Sequence, residues 1–240
     1  ITIEPNGSEK INAVNDGYIM SIAGLAVTLV YADAARGWKS VTGSDADATG
    51  EAPAYVAATG GTPCAGATSG DYKIHSFTGP GTLCVSNAGN ISGNNKIDYL
   101  VVGAGGSSGG YYGGGGAGGF RESVPSPAAW TASPLASSGG GLTATVSGYP
   151  IVVGGGGPAA SPGTVNGNSG SLSSFSTISS AGGGFGTGQP SGPAAGSGGS
   201  GGGEGYQDAG GAGSGNTPST SPPQGNDGGE GIPAGGAGGG

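Results

Sequence analysis

The chain has 240 residues, 62 of them Gly, with only 8% charged residues and a formal net charge of −8. Lys and Arg number 6 against 14 Asp and Glu, and none lies beyond Arg121, so the chain has little with which to neutralise phosphates and no nucleic-acid partner is expected. The longest apolar stretch, IAGLAVTLVYA (22–32), falls well short of the roughly 20 residues of a spanning helix, so no membrane insertion is expected either.

Residues 1–42 read as a small β module. ITIEP-NG-SEKI carries the Asn-Gly dipeptide that supplies positive φ in a two-residue hairpin turn. Tyr18, Met20 and Ile22 alternate with polar or small residues, and Leu25, Val27, Leu29 and Tyr31 alternate again, as half-buried strands do. Trp38 in RGWKSV is the expected apolar anchor. About 40 residues bury little core alone, so the module is expected to pack on another chain or domain. Residues 43–68, rich in small and acidic residues, read as a linker.

A short β anchor unit is expected over 69–102. SGDYKIHSFTGPGTLCVSNAGN predicts two strands around the Gly-Pro-Gly turn at 79–81. Ile97–Val102 lacks alternation, which predicts a strand buried on both faces. That run leads straight into glycine, and the junction recurs. Tyr99–Gly103 (YLVVG) is matched by Tyr149–Gly154 (YPIVVG), and more weakly by SLSSFSTISSAGGGFGTG (171–188). Each glycine tract is launched from a short β anchor.

Residues 103–240 pose the physical problem, since 48 of the 62 glycines lie in 101–240 and the other 14 lie between positions 7 and 93. Ordering a backbone costs roughly 1–2 kcal/mol per residue, with glycine at the high end and no side chain to bury in return. An α-helix is disfavoured by about 1 kcal/mol for each Gly relative to Ala. Collagen needs Gly at every third position, and the runs 113–116 and 154–157 break that register. One ordered state remains: threefold polyproline-II-like helices, bare of Cβ atoms, packed so closely that each amide reaches a neighbour's carbonyl. Each bond nets only about 1 kcal/mol, so a bundle is required. The fold class expected is therefore all-β with an irregular glycine-rich region, a small amino-terminal β module followed by a β-anchored polyglycine II helix bundle.

The loops between tracts hold Tyr111, Tyr112, Trp130 and Tyr206. These aromatics either form an exposed binding surface, giving large contact area at low entropic cost, or cap the bundle ends and pack on glycine faces. Cys64 and Cys84 lie 20 apart, either as a disulfide or as two buried thiols on neighbouring strands. With His75 the only histidine and no CxxC pair, neither a metal site nor a cofactor is expected. No nucleophile–base constellation is present in the sequence, and the chain does not read as an enzyme.

ITIEPNGSEKIN…VTLVYADAARGW resembles a short β module that recurs in phage tail-fibre and virion proteins, and SGDYKIHSFTGPGTLCVSNAG…DYLVVGAGG…YPIVVGGGG…SFSTISSAGGG resembles the glycine-rich domain that follows it. The similarity covers almost the whole chain in order. It implies a virion-surface or extracellular protein that attaches to a bacterial cell-surface receptor, an outer-membrane protein or a glycan. It also implies a homo-oligomer, such as a trimer, or a fibre partner. In the adhesins of this kind the loops at one tip of the glycine bundle contact the receptor. The alternative is a subunit of a self-assembling extracellular filament. A flat-surface binder, such as an ice-binding protein, needs a regular tripeptide repeat that these tracts lack.

Overall fold

The computed structural model describes residues 2–11, 15, 18–19, 26–40, 53–90, 93–110, 112–125, 130–137, 140–161, 163, 165–188, 193–206, 210–232 and 235–240. They fall into two compact units, Ile1–Ala57 with Asn87–Asn95, and Ala58–Ser86 with Lys96–Gly240. Among the described residues every regular element is a β-strand, gathered in several small open sheets. The division differs from the four parts that composition suggests (1–42, 43–68, 69–102 and 103–240). Part of the expected linker is strand, and residues 87–95 group with the amino-terminal unit.

In the first unit β1 (Thr2–Ile3) pairs antiparallel with β2 (Tyr18–Ile19), and β3 (Leu29–Asp33) with β4 (Gly37–Ser40). The Asn6-Gly7 turn forms, with Gly7 at φ 62° and the Glu9 amide donating to the Asn6 carbonyl at 3.1 Å. Its two arms do not pair, however, because β1 takes β2 as its partner. The β3–β4 turn is made by Asp33, whose Oδ1 accepts from the amides of Ala35 and Arg36 at 2.9 and 2.7 Å. Trp38 anchors this hairpin. Its ring meets Tyr31 edge-on with centroids 5.5 Å apart, its indole N–H donates to Glu9 Oε2 at 3.3 Å, and its amide donates to the Lys10 carbonyl at 2.8 Å. Met20, Ile22 and Leu25 lie outside the described residues.

In the second unit β6 (Ala67–Ser69) and β7 (Tyr72–Ile74) form a hairpin. The order of the largest sheet is β16-β15-β14-β8-β5, with β5 Val56–Thr59, β8 Gly81–Ala88, β14 Gly148–Val152, β15 Ser173–Phe175 and β16 Ile178–Ser180. Strands form on both sides of the Gly-Pro-Gly turn, but not as partners: β7 joins β6, and β8 joins β14. Smaller sheets are β10 (Leu100–Val102), β11 (Phe120–Ser123) and β12 (Ala136–Ser137), and β9 (Lys96–Ile97) with β13 (Leu142–Thr143). Ile97–Val102 is not one strand buried on both faces. It splits into β9 and β10, and in β10 only Val101 is buried while Leu100 and Val102 face solvent. The apolar core is small: Leu83, Val85 and Val101 with Tyr149 and Phe175, whose ring centroids lie 5.6 Å apart.

The rest of this unit is held by its backbone. Segments 103–110, 113–119, 165–171, 181–188, 195–198, 200–204, 210–216, 224–231 and 235–240 lie outside every sheet, yet bond to one another through main-chain amides and carbonyls. The bonds recur every third residue. The amides of Gly103, Gly106 and Gly109 donate to the carbonyls of Gly119, Gly116 and Gly113 at 2.8, 2.9 and 2.9 Å. Those of Ala104, Ser107 and Gly110 donate to Ser171, Asn168 and Val165 at 3.1, 2.8 and 2.9 Å. In a pleated strand the direction alternates with period two, whereas a three-residue turn sends successive amides in three directions.

Segment 200–204 shows what this permits. Ser200 N donates to Ala117 O, Gly201 N to Asn226 O and Gly202 N to Gly196 O, at 3.0, 2.9 and 2.8 Å. The same segment accepts at Ser200 O from Gly184 N, at Gly202 O from Gly213 N and at Glu204 O from Ala237 N, at 3.0, 2.9 and 2.9 Å. Six surrounding segments are thus bonded to one, where a strand in a sheet has at most two neighbours. Side chains would prevent it: a Cβ built on Gly201 would overlap the Gly213 carbonyl, and one on Gly184 the Gly196 carbonyl.

Candidate functional site

The registers fix two ends for the glycine bundle. Gly103 pairs with Gly119, and Gly109 with Gly113, so 103–110 and 113–119 run antiparallel, with Gly110 and Gly113 at one end. The strands all join at the other end: β10 leads into Gly103, β11 leaves Gly119, β16 leads into Ala181, and β15 follows segment 165–171. This is the anchored end. Ser180, fully buried, fastens it by directing its hydroxyl at the carbonyls of Gly119 and Val101, at 2.7 and 3.0 Å. Gln224, 1% exposed, adds a second tie, with Oε1 accepting from Ala181 N at 2.8 Å and Nε2 donating to Pro218 O at 2.7 Å.

At the far end stand the described residues Gly110, Gly113, Pro158, Val165, Gly188, Ala195, Gly205, Gly210, Ile232 and Gly235. They adjoin one another: Gly110 N donates to Val165 O at 2.9 Å, a Cβ on Gly236 would run into Tyr112, and one on Gly231 into the Gly205 carbonyl. Tyr112 stands here, 75% exposed with φ at 68°, and Tyr206 follows Gly205 in a half-buried turn. Val165 and Ile232 are also exposed at this end. Tyr111 lies outside the described residues.

Beneath these connections sits a residue that no sequence motif singles out. Glu204 is 3% exposed, and its two carboxylate oxygens accept from Gly211 N at 2.9 Å and Gly231 N at 2.7 Å. One carboxylate therefore joins two neighbouring segments to segment 200–204. Thr187, fully buried, makes a similar tie from segment 181–188, its Oγ1 accepting from Gly205 N at 2.6 Å. The one signal in the sequence is a lone acid inside GGGEGY, where solvation gives no reason for a charge.

Trp130 is not part of this surface. It lies in the loop after β11, at the anchored end, where its ring meets Tyr72 edge-on with centroids 5.9 Å apart and its indole N–H donates to Glu122 Oε1 at 3.2 Å. Glu122 Oε2 accepts from Ser133 N at 3.1 Å. Burial works to raise the Glu122 pKa, but the bonds from Ser133 and Trp130 prevail and hold the carboxyl below its ordinary range. Cys64 and Cys84 are free thiols, both exposed, neither bridged nor buried as a pair. Among the described residues no group of His, Cys, Asp and Glu is arranged to hold a metal, and no helix is long and apolar enough to cross a membrane.

No curated protein and no solved structure matches the chain. A family model described as a glycine-rich domain matches residues 85–240, a span that takes in β10, β14, β16 and every bundle segment. The chain belongs to that family of glycine-rich domains.

Proposed function

We propose that the protein is a tail-fibre or adhesin component of a bacteriophage virion that attaches to a bacterial surface receptor through the far end of its glycine bundle. The observation that carries this reading is the segregation of the two ends. The strands gather at one, while Tyr112, Tyr206, Val165 and Ile232 gather at the other. A rigid scaffold presenting clustered loops is how recognition surfaces are commonly built. The threefold recurrence of bonds supports reading the segments as polyglycine II helices, whose mutual hydrogen bonds give a stiff support with little side-chain mass. The test is binding of the purified protein to a panel of bacterial strains. Tyr112→Ala with Tyr206→Ala abolishes attachment while the melting temperature stays within a few degrees; undiminished attachment removes the far end from the reading. Electron microscopy separates this from the filament alternative, because a fibre component forms closed particles and a filament subunit assembles without end.

A further inference from the structure

We propose that Trp130, Tyr72 and Glu122 form a binding site for an organic cation, an alkylammonium group seated on the aromatic faces at the anchored end of the bundle. This site is separate from the far-end surface and does not depend on it.

A Trp at a surface ordinarily buries its ring and leaves the polar N–H in contact with water. Trp130 is 40% exposed, and its N–H is tied to Glu122 Oε1 rather than left to water alone. Tyr72 beside it is 43% exposed, and the two ring planes stand 77° apart. Two aromatic residues are thus kept partly open to solvent in a fixed mutual orientation. The second carboxylate oxygen, bonded to Ser133 N, stops the acid from rotating away and releasing the indole.

Charge selects the ligand. Glu122 is held ionised, and among the described residues no Lys or Arg forms an ion pair with it. Lys73, next to Tyr72 on β7, sends its ammonium to the Ala65 carbonyl at 3.3 Å. Arg121 adjoins Glu122 on β11, where successive side chains point to opposite faces. The carboxylate therefore lies without a cationic partner at the N–H edge of the indole, and its charge adds to the negative potential over the ring. A cation over that face is attracted by both, and a neutral or anionic group is not. Both oxygens already accept a hydrogen bond, so the ligand is recognised by charge and contact with the rings.

The experiment uses the full chain carrying Trp38→Phe, which leaves Trp130 as the sole indole because the sequence has two Trp. Trp130 emission is followed while choline, Nα-acetyl-lysinamide and 3,3-dimethylbutan-1-ol, the uncharged isostere of choline, are added. At least one cation shifts the emission saturably and binds on the order of ten-fold tighter than the isostere. Response to choline alone assigns the site to quaternary ammonium groups, and response to the lysine derivative assigns it to a protein side chain. Tyr72→Ala weakens the response several-fold, and calorimetry on Trp130→Ala shows no binding. Equal binding of choline and its isostere, or no response to either cation, overturns the proposal without requiring any site variant to fold.

Discussion

Gly184 faces the carbonyl of Gly196 so closely that a single added methyl group would occupy the oxygen's position. Gly184 also donates to Ser200 O at 3.0 Å and accepts from Gly116 N at 2.8 Å, so it cannot move away without breaking bonds on two other sides. Gly155, by contrast, has nothing within 4 Å of where its Cβ would stand. Gly184→Ala is expected to destabilise the protein by about 2–3 kcal/mol, the scale of overpacking in a close-packed interior. Gly155→Ala should be neutral or stabilising by up to about 1 kcal/mol, since it removes freedom from the unfolded chain. Denaturant unfolding of the two variants decides; equal effects would mean that the tracts are not closely packed.

Glu204→Ala removes the acceptor for both Gly211 N and Gly231 N. Two half-buried amides lose a charged partner at once, and the expected loss is about 3 kcal/mol. Glu204→Gln keeps one acceptor but turns an amide donor towards another donor, so it recovers only part of that loss. The damage is local to the far end. Amide exchange should accelerate first at Gly211 and Gly231 and leave Gly103 and Gly119 protected.

Glu122 predicts a pH effect of definite sign. Its folded pKa lies below the ordinary carboxylate value, so the stability it contributes is complete above that ordinary value and is lost as pH falls through the depressed one. The Trp130 emission of the Trp38→Phe protein should stay constant from neutral pH down to the carboxylate range and change only within it. Glu122→Gln removes the step. A step centred near neutral pH would assign the change to another group.

Much of the second unit is legible in the sequence. The joins at Gly103, Gly154 and Ala181 follow β10, β14 and β16, because short β-branched or aromatic runs next to glycine have few other uses. Turn chemistry is equally local: Asn6-Gly7 turns, as its residues require. Strand partners are not legible. β1 and β7 are two and three residues long, too short to carry a side-chain pattern that selects one partner over another. Trp130 and Tyr112 look alike as loop aromatics in sequence, yet the chain carries them to opposite ends of the bundle. The role of Glu204 is hidden because a lone acid among glycines shows its burial only when the surrounding segments are in place.

Composition alone determined that residues 103–240 lack the side chains for an ordinary core and have the bare backbone that lets segments approach to hydrogen-bond distance. Only the tertiary structure decided which segment lies beside which, and hence which loops share an end. The reason is that glycine amides are chemically alike: any one satisfies any carbonyl. The choice among neighbours falls to the few residues that differ, Ser180, Thr187, Glu204 and Gln224, and to the strands at the anchored end.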